Sequence, residues 1–325
     1  MLALAIAGAT IWWLRARHFE STDDAFVAAR SFSVAPKVAG YLAEVDVTDN
    51  QHVPVGAVLA RIDDRDYRVA KEQAEAQLAA AQANVAGLDA QIEGQRTEVA
   101  RAQAGVKQVQ AAVSLAQENA GRADKLLQSG NTTVAAQQQT TSQLQQAQAN
   151  LIAEQKAVDT TDQQIRVLEA QRSGAIANSA GALAQRDRSA LDLGYSAIIA
   201  AQPGRLVSLS AAKGQYVVPG QSLAMFVPDE VWITANFKET QIADMRPGQP
   251  VDVSIDAYPN IDFYGRVDSI QSGSGTAFSL LPAENATGNY VKVVQRVPVK
   301  IVLDHVPEGV VLGPGMSAVP KVRVR

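Results

Sequence analysis

From residue 74 to residue 127 apolar side chains recur with a seven-residue period that few folds can accommodate. Leu78, Val85, Ile92, Val99, Val106, Val113, Ala120 and Leu127 fall on one track. Ala74, Ala81, Leu88, Gln95, Ala102, Val109, Ala116 and Ala123 fall on a second. These are the a and d positions of a coiled coil, sustained beyond the roughly three or four heptads that such an inference requires. Gln128-Ser129-Gly130-Asn131-Thr132 then breaks the pattern with helix-stop and turn chemistry. The seam resumes at Leu144, Leu151, Val158 and Ile165, with Leu168 on the second track. It is expected to reappear at Ile176, Leu183 and Ala190 after an offset of four residues, which reads as a stutter. Folding the chain about Asn131 sets Leu151 between Val109 and Val113, Val158 between Ala102 and Val106, and Leu183 between Leu78 and Ala81. The spacing predicts a helical hairpin over 65–197 with its tip near 128–133. Arms of about 60 residues would each extend ~90 Å at about 1.5 Å per residue.

The segments flanking this hairpin repeat each other. Residues 33–64 contain Gly40, Leu42, Gln51, Val53, Gly56 and Leu59, and residues 198–229 contain Gly204, Leu206, Gln215, Val217, Gly220 and Leu223 at the same intervals. Alternating apolar residues at Val45 and Val47, and at Val53 and Val55, predict short strands, with Gly56 and Gly220 where turns belong. The fold about Asn131 also sets Asp64 opposite Ile198, the inner edges of the two repeats. One β domain split open by a helical insertion satisfies both patterns. The repeats resemble the two halves of a biotinyl/lipoyl carrier domain. In such carriers the halves meet at a turn bearing a modified lysine, whereas here Asp63-Asp64-Arg65-Asp66 ends the first half and no lysine follows before Lys71. The chain offers a carrier's prosthetic group no attachment point.

After residue 230 the alanine–glutamine bias disappears. Residues 231–235, 251–255, 265–270 and 297–302 read as strands punctuated by Pro247-Gly248, Pro259-Asn260 and Pro314-Gly315, which predicts a small β-barrel or sandwich. Ser272 to Thr276 reads SGSGT but lacks the Gly-Lys-Ser/Thr ending of a phosphate loop, so a flexible loop is expected. At the other end, Leu2 to Leu14 is apolar apart from Thr10 and ends in Trp12-Trp13, followed by Arg15 and Arg17. It is shorter than the ~20 residues of a spanning helix. Three readings stand: the end of a membrane helix with its tryptophans at headgroup level, the apolar part of a signal peptide, and a buried strand. The first is preferred, although Arg15 and Arg17 lie on the wrong side for an outward-facing body.

Chemistry is hard to place on this chain. Without cysteine there is no disulfide framework, zinc ribbon or thiol nucleophile. A net charge of −4 leaves no basic excess to neutralise phosphates, which argues against a nucleic-acid partner. His18, His52 and His305 are too scattered for a metal cluster. Asp63, Asp64 and Asp66 sit at the hairpin base, where carboxylates favour a helix N-terminus. No Gly-x-Ser-x-Gly motif is present. No catalytic, cofactor-binding or metal-binding residue is therefore assigned, and the chain is not expected to be an enzyme. The hairpin flanks point elsewhere. Val134 to Ala153 carries no charge, and Gly87 and Gly94 share one non-seam position a heptad apart, as suits rods packed against neighbouring rods.

The order of anchor, half-motif, hairpin, half-motif and β-domain resembles the membrane fusion proteins of Gram-negative tripartite pumps. TDDAFV at 22–27, NFKETQ at 236–241, MRPGQPVDVSIDAYP at 245–259 and the block at 272–301 resemble the EmrA type of the HlyD/EmrA family, as does Leu312-Gly313-Pro314-Gly315-Met316-Ser317. The resemblance implies an elongated α+β fold: a partial anchor at 1–14, a membrane-proximal linker and strand at 15–32, lipoyl-like halves at 33–64 and 198–229 around the hairpin, a β-barrel at 230–304 and a membrane-proximal segment at 305–325. It implies an inner-membrane protein with its body in the periplasm, linking a major-facilitator transporter to a TolC-like outer-membrane channel for efflux of drugs or toxic small molecules. It further implies a trimeric or hexameric ring and no cofactor. Several such adaptors dock through an Arg-x3-Leu-x6-Ser pattern at the tip, whose spacing Arg122, Leu126 and Thr133 reproduce with threonine in place of serine. Gly130 joins them as the tip residue expected to need positive φ. Gly40, Gly56, Gly204 and Gly220 are the expected structural turn glycines. Two alternatives remain at this point: an adaptor of an ATP-driven type I protein secretion system, and a biotinyl/lipoyl carrier-like scaffold.

Overall fold

Two helices carry the heptad seam, α1 (Arg65–Gln128) and α2 (Val134–Gly194). The computed structural model describes residues 18–275, 294–307 and 309–324; the expected anchor at 1–14 and most of the 272–301 block lie outside them. The fold class is α+β, and the chain divides into a helical unit, Asp64–Gly194, and a β unit drawn from the stretches on either side. Among the described residues no helix is long and apolar enough to cross a membrane.

Within the helical unit α1 follows the expected pattern, with Ala74, Ile92 and Val113 buried and the remaining seam positions half-buried. Two antiparallel helices cannot enclose a seam completely, because each a and d side chain keeps one flank toward solvent. The register agrees with a fold about Asn131: Gln95 Nε2 donates to Gln164 Oε1 at 2.7 Å, and Arg172 pairs with Asp89. At the base of α1, Arg68 donates to Asp64 Oδ2 at 2.8 Å, and this bond raises the guanidinium pKa above its ordinary value.

The expected stutter in α2 is absent. From Ile165 and Leu168 the covered positions run on without offset through Arg172, Ala175, Ser179, Ala182, Arg186 and Ser189. Ile176 and Leu183 fall one position off the seam and are 43% and 40% exposed. The physical reason is that helix pairs keep register by the 3.5-residue period, not by residue size. Small side chains at Ala175 and Ser189 are buried, and the aliphatic stem of Arg172 covers a seam position while its head reaches Asp89.

The repeats build two four-stranded sheets. One runs β3-β10-β8-β5, from Phe32–Val34, Ala224–Pro228, Gly204–Val207 and His52–Val53. The other runs β7-β6-β4-β9, from Ala197–Ile199, Val58–Ile62, Gly40–Val45 and Tyr216–Val217. Each sheet is the other's counterpart with the two repeats exchanged. Gly40 pairs with Val217 as Gly204 pairs with Val53. The Leu42 N–H donates to the Gln215 carbonyl at 2.8 Å, as the Leu206 N–H does to the Gln51 carbonyl at 3.1 Å. Leu42, Val53, Leu59, Leu206, Val217 and Leu223, the repeated apolar residues, are all buried.

The remaining strands are β1 (Phe19–Ser21), β2 (Ala25–Ala29), β11 (Val231–Lys238), β12 (Pro250–Ile255), β13 (Asp262–Ile270), β14 (Arg296–Leu303) and β15 (Ala318–Arg323). They form one seven-stranded sheet in the order β1-β15-β12-β13-β14-β11-β2. The sheet closes where the Val27 N–H donates to the Met316 carbonyl and the Gly315 N–H donates to the Val27 carbonyl, both at 2.8 Å. Inward positions alternate apart from an irregularity between Val267 and Ser269 of β13, and Val27, Ile233, Phe237, Ile255, Val299, Ile301 and Val322 are completely buried. The expected barrel segment 230–304 supplies β11 to β14, while β1 and β2 come from the expected 15–32 linker and strand and β15 from the expected 305–325 segment. Alternation, as in the six residues of β15, marks an inward face without naming the sheet it joins.

Candidate functional site

The turn joining α1 to α2 has full helix-cap chemistry. Gly130 has φ of 74°, the left-handed conformation that a side chain would oppose. The Gly130 N–H donates to the Leu127 carbonyl at 3.0 Å and the Asn131 N–H to the Leu126 carbonyl at 2.9 Å. This pair of reverse bonds is a Schellman motif, which satisfies the last carbonyls of α1. Ser129 Oγ donates to the Leu126 carbonyl at 3.0 Å, and Asn131 Nδ2 donates to Ser129 Oγ at 3.1 Å. On the far side, Thr133 Oγ1 accepts from the Ala136 N–H at 3.2 Å, which makes Thr133 the N-cap of α2.

The four expected tip residues thus divide in two. Arg122 and Leu126 lie one turn apart on one face of α1, both exposed, with Leu126 at 41%. Leu127, not Leu126, occupies the seam. Gly130 and Thr133 instead shape the turn, and the Thr133 hydroxyl is engaged by backbone. The sequence signal for that capping role was present: a hydroxyl residue stands directly before the first residue of α2.

The four repeat glycines also serve in two ways. Gly56 and Gly220 have φ of 78° and 83° in open turns. Gly40 and Gly204 begin β4 and β8 under close contact. A methyl group on Gly204 would strike the Val227 carbonyl oxygen and the Phe226 ring, and one on Gly40 would lie 2.6 Å from Ile62 Cγ2. The repeated glutamines have a part that their matched intervals do not reveal. Gln51 Oε1 accepts from the Thr48 N–H at 2.8 Å and Gln215 Oε1 from the Ala212 N–H at 3.0 Å, so each side chain locks its own turn. Among the described residues no group of three or more His, Asp or Glu is placed to hold a metal ion. Arg122, Asp124, Lys125 and Leu126 are all exposed in the last turns of α1.

Comparison with known proteins agrees with this arrangement. Residues 230–323 match the family model of the AAEA-like beta-barrel domain. The chain is 35% identical over 326 residues to the colistin resistance protein EmrA of Acinetobacter baumannii, covering all of this chain and 92% of that protein. It is 35% identical over 314 residues to the multidrug export protein EmrA of Escherichia coli, covering 93% of this chain and 75% of the relative. Among solved structures, the membrane fusion protein Spr0693 of Streptococcus pneumoniae R6 superposes with a TM-score of 0.55. At 16% identity over 94% of this chain and 99% of the other, that likeness speaks for the fold.

Proposed function

Because the chain belongs to the EmrA-type membrane fusion proteins of the HlyD family, we propose that it joins an inner-membrane transporter of the major facilitator class to a TolC-like outer-membrane channel. It is a periplasmic adaptor of an EmrA-type multidrug efflux pump, and adaptors of this type are not enzymes. One observation carries the reading: the likeness to the EmrA proteins extends over the whole chain, hairpin and β unit together. In this reading residues 1–14 are part of the inner-membrane anchor and the described body stands in the periplasm. Several copies assemble laterally into a trimeric or hexameric ring, a role supported by the uncharged flank at 134–153. The transporter supplies the energy, and the adaptor supplies the conduit. Arg122 and Leu126 face the channel, with Gly130 and Thr133 holding the turn that presents them.

Co-purification from membranes, with identification of both partners, tests this. Arg122→Asp and Leu126→Asp should each lower channel recovery about tenfold or more while transporter recovery and helix content stay unchanged. Recovery of an ATPase in place of a many-helix transporter would overturn the drug-efflux assignment. Undiminished channel recovery in both variants would remove these residues from the docking face.

A further inference from the structure

Where the chain enters the β unit, the barrel leaves positive charge without a counter-charge. β1 pairs with β15 along one edge of the sheet, Phe19 opposite Arg323 and Ser21 opposite Lys321. Val322, between the two cations, is buried, so Lys321 and Arg323 point outward, and both are exposed. Lys321 Nζ lies 6.0 Å from the centre of the Phe19 ring and the Arg323 guanidinium 5.7 Å from it. Other outward cations of the barrel sit on carboxylates: Arg266 on Asp304, Arg296 on Asp24 and Lys300 on Asp268. Lys321 and Arg323 have no such partner among the described residues, although Asp252 stands across from Lys321 on β12. The sequence adds to this charge from both sides. Residues 321–325 read KVRVR, and Arg15 and Arg17, on the wrong side for an outward-facing body, precede Phe19. In a chain of net charge −4 this is a local reversal of sign.

A cation already paired is largely neutralised before it meets a partner, whereas an unpaired one keeps its full field. Only five steps of chain separate Leu14 from Phe19, a span of at most ~18 Å. With residues 1–14 in the membrane, Lys321 and Arg323 therefore come within about two Debye lengths of the headgroups at physiological salt. Basic residues clustered beside a membrane segment bind anionic headgroups. An aromatic ring held among them suits the boundary between headgroups and acyl chains. The acidic remainder of the chain is repelled by the same surface, so attraction and repulsion together hold this end of the barrel down.

We infer that the β1–β15 edge seats the barrel on a bilayer surface rich in anionic headgroups, with Lys321 and Arg323 on lipid phosphates and Phe19 at the boundary beside them. The inference rests on the anchor reading of residues 1–14 and gives the wrong-side arginines a task. The chain has no cysteine, so Ser21→Cys on β1 accepts a single fluorophore. The labelled full chain is placed in nanodiscs that carry a lipid with a nitroxide quencher on its headgroup. One set is phosphatidylcholine and the other includes about 30% phosphatidylglycerol. Quenching should be at least about twofold stronger with phosphatidylglycerol, and about 1 M salt should erase most of that gain. Lys321→Gln with Arg323→Gln should remove roughly half of the gain or more, and Lys321→Arg with Arg323→Lys should keep it. Equal quenching of the wild type in both discs would overturn the assignment. So would a full gain in the Lys321→Gln, Arg323→Gln chain with an unchanged circular dichroism spectrum. If about 1 M salt strips the chain from both discs, the anchor reading fails and the seating fails with it. If the chain stays with the discs and quenching ignores phosphatidylglycerol, the seating alone fails.

Discussion

The hairpin and the barrel solve the burial problem in opposite ways. In the hairpin, two helices of 64 and 61 residues share one seam, and few side chains in it are closed off from water. In the barrel, strands from both ends of the chain meet, as when Phe19 pairs with Arg323, and Phe237, Ile233 and Ile301 have no exposed surface. The rod spreads its stability along its length in small shares, whereas the barrel concentrates it in a few enclosed side chains. A change in the seam should therefore be felt locally, and a change in the barrel should be felt throughout it.

Phe237→Ala against Ile92→Ala is the strongest way to break that contrast. Phe237 is fully enclosed and its loss should cost about 3–5 kcal/mol, from the transfer of its ring and the void left behind. Ile92 is 5% exposed at the middle of α1, and the two helices can close on the gap or admit water, so about 2–3 kcal/mol is expected. Denaturant titration followed by residue-resolved hydrogen exchange should show the first variant losing protection across β11 to β15 and the second only within 65–194. Matching loss in both regions for both variants would mean that the rod and barrel unfold as one.

Both helices were legible because a heptad pattern states a residue's face and its partner helix together. The seam of α2 beyond Leu168 was not, for a reason visible at Ala175 and Ile176. Sequence reading ranks residues by hydrophobicity and prefers isoleucine, while the seam keeps its period and covers alanine. In the β unit, alternation at Val251, Val253 and Ile255 announces an inward face but not which strand lies alongside. Hence the sequence does not reveal that β1, β2 and β15 share a sheet with β11 to β14. The split repeat was the exception, since matched intervals carry the pairing information that alternation lacks. Arg122 and Leu126 could be named from spacing because both lie on one helix, where the period fixes the face of each residue.

A sharper test of the seam exchanges the two candidates. Ala175→Gln should cost about 1–3 kcal/mol, because the longer side chain overfills a position that only alanine's methyl occupies. Ile176→Gln should change stability by no more than about 0.5 kcal/mol, as expected for a residue 43% exposed. Thermal melting followed by circular dichroism at the helix band reads both. The reverse order of effects would restore the stutter.

The smallest effect belongs to the ion pair between Asp89 and Arg172. Their side chains are 48% and 41% exposed, so water screens the attraction and the pair competes with the entropy of two long side chains. Asp89→Ala should cost only about 0.2–1 kcal/mol and should cost less in about 1 M salt. Arg172→Ala should cost more than Asp89→Ala even at high salt, because it removes the aliphatic stem that covers a seam position along with the charge. That inequality is what the continuous seam requires: if Arg172 were merely a surface residue beside a stuttered core, both substitutions would fade together as salt is added.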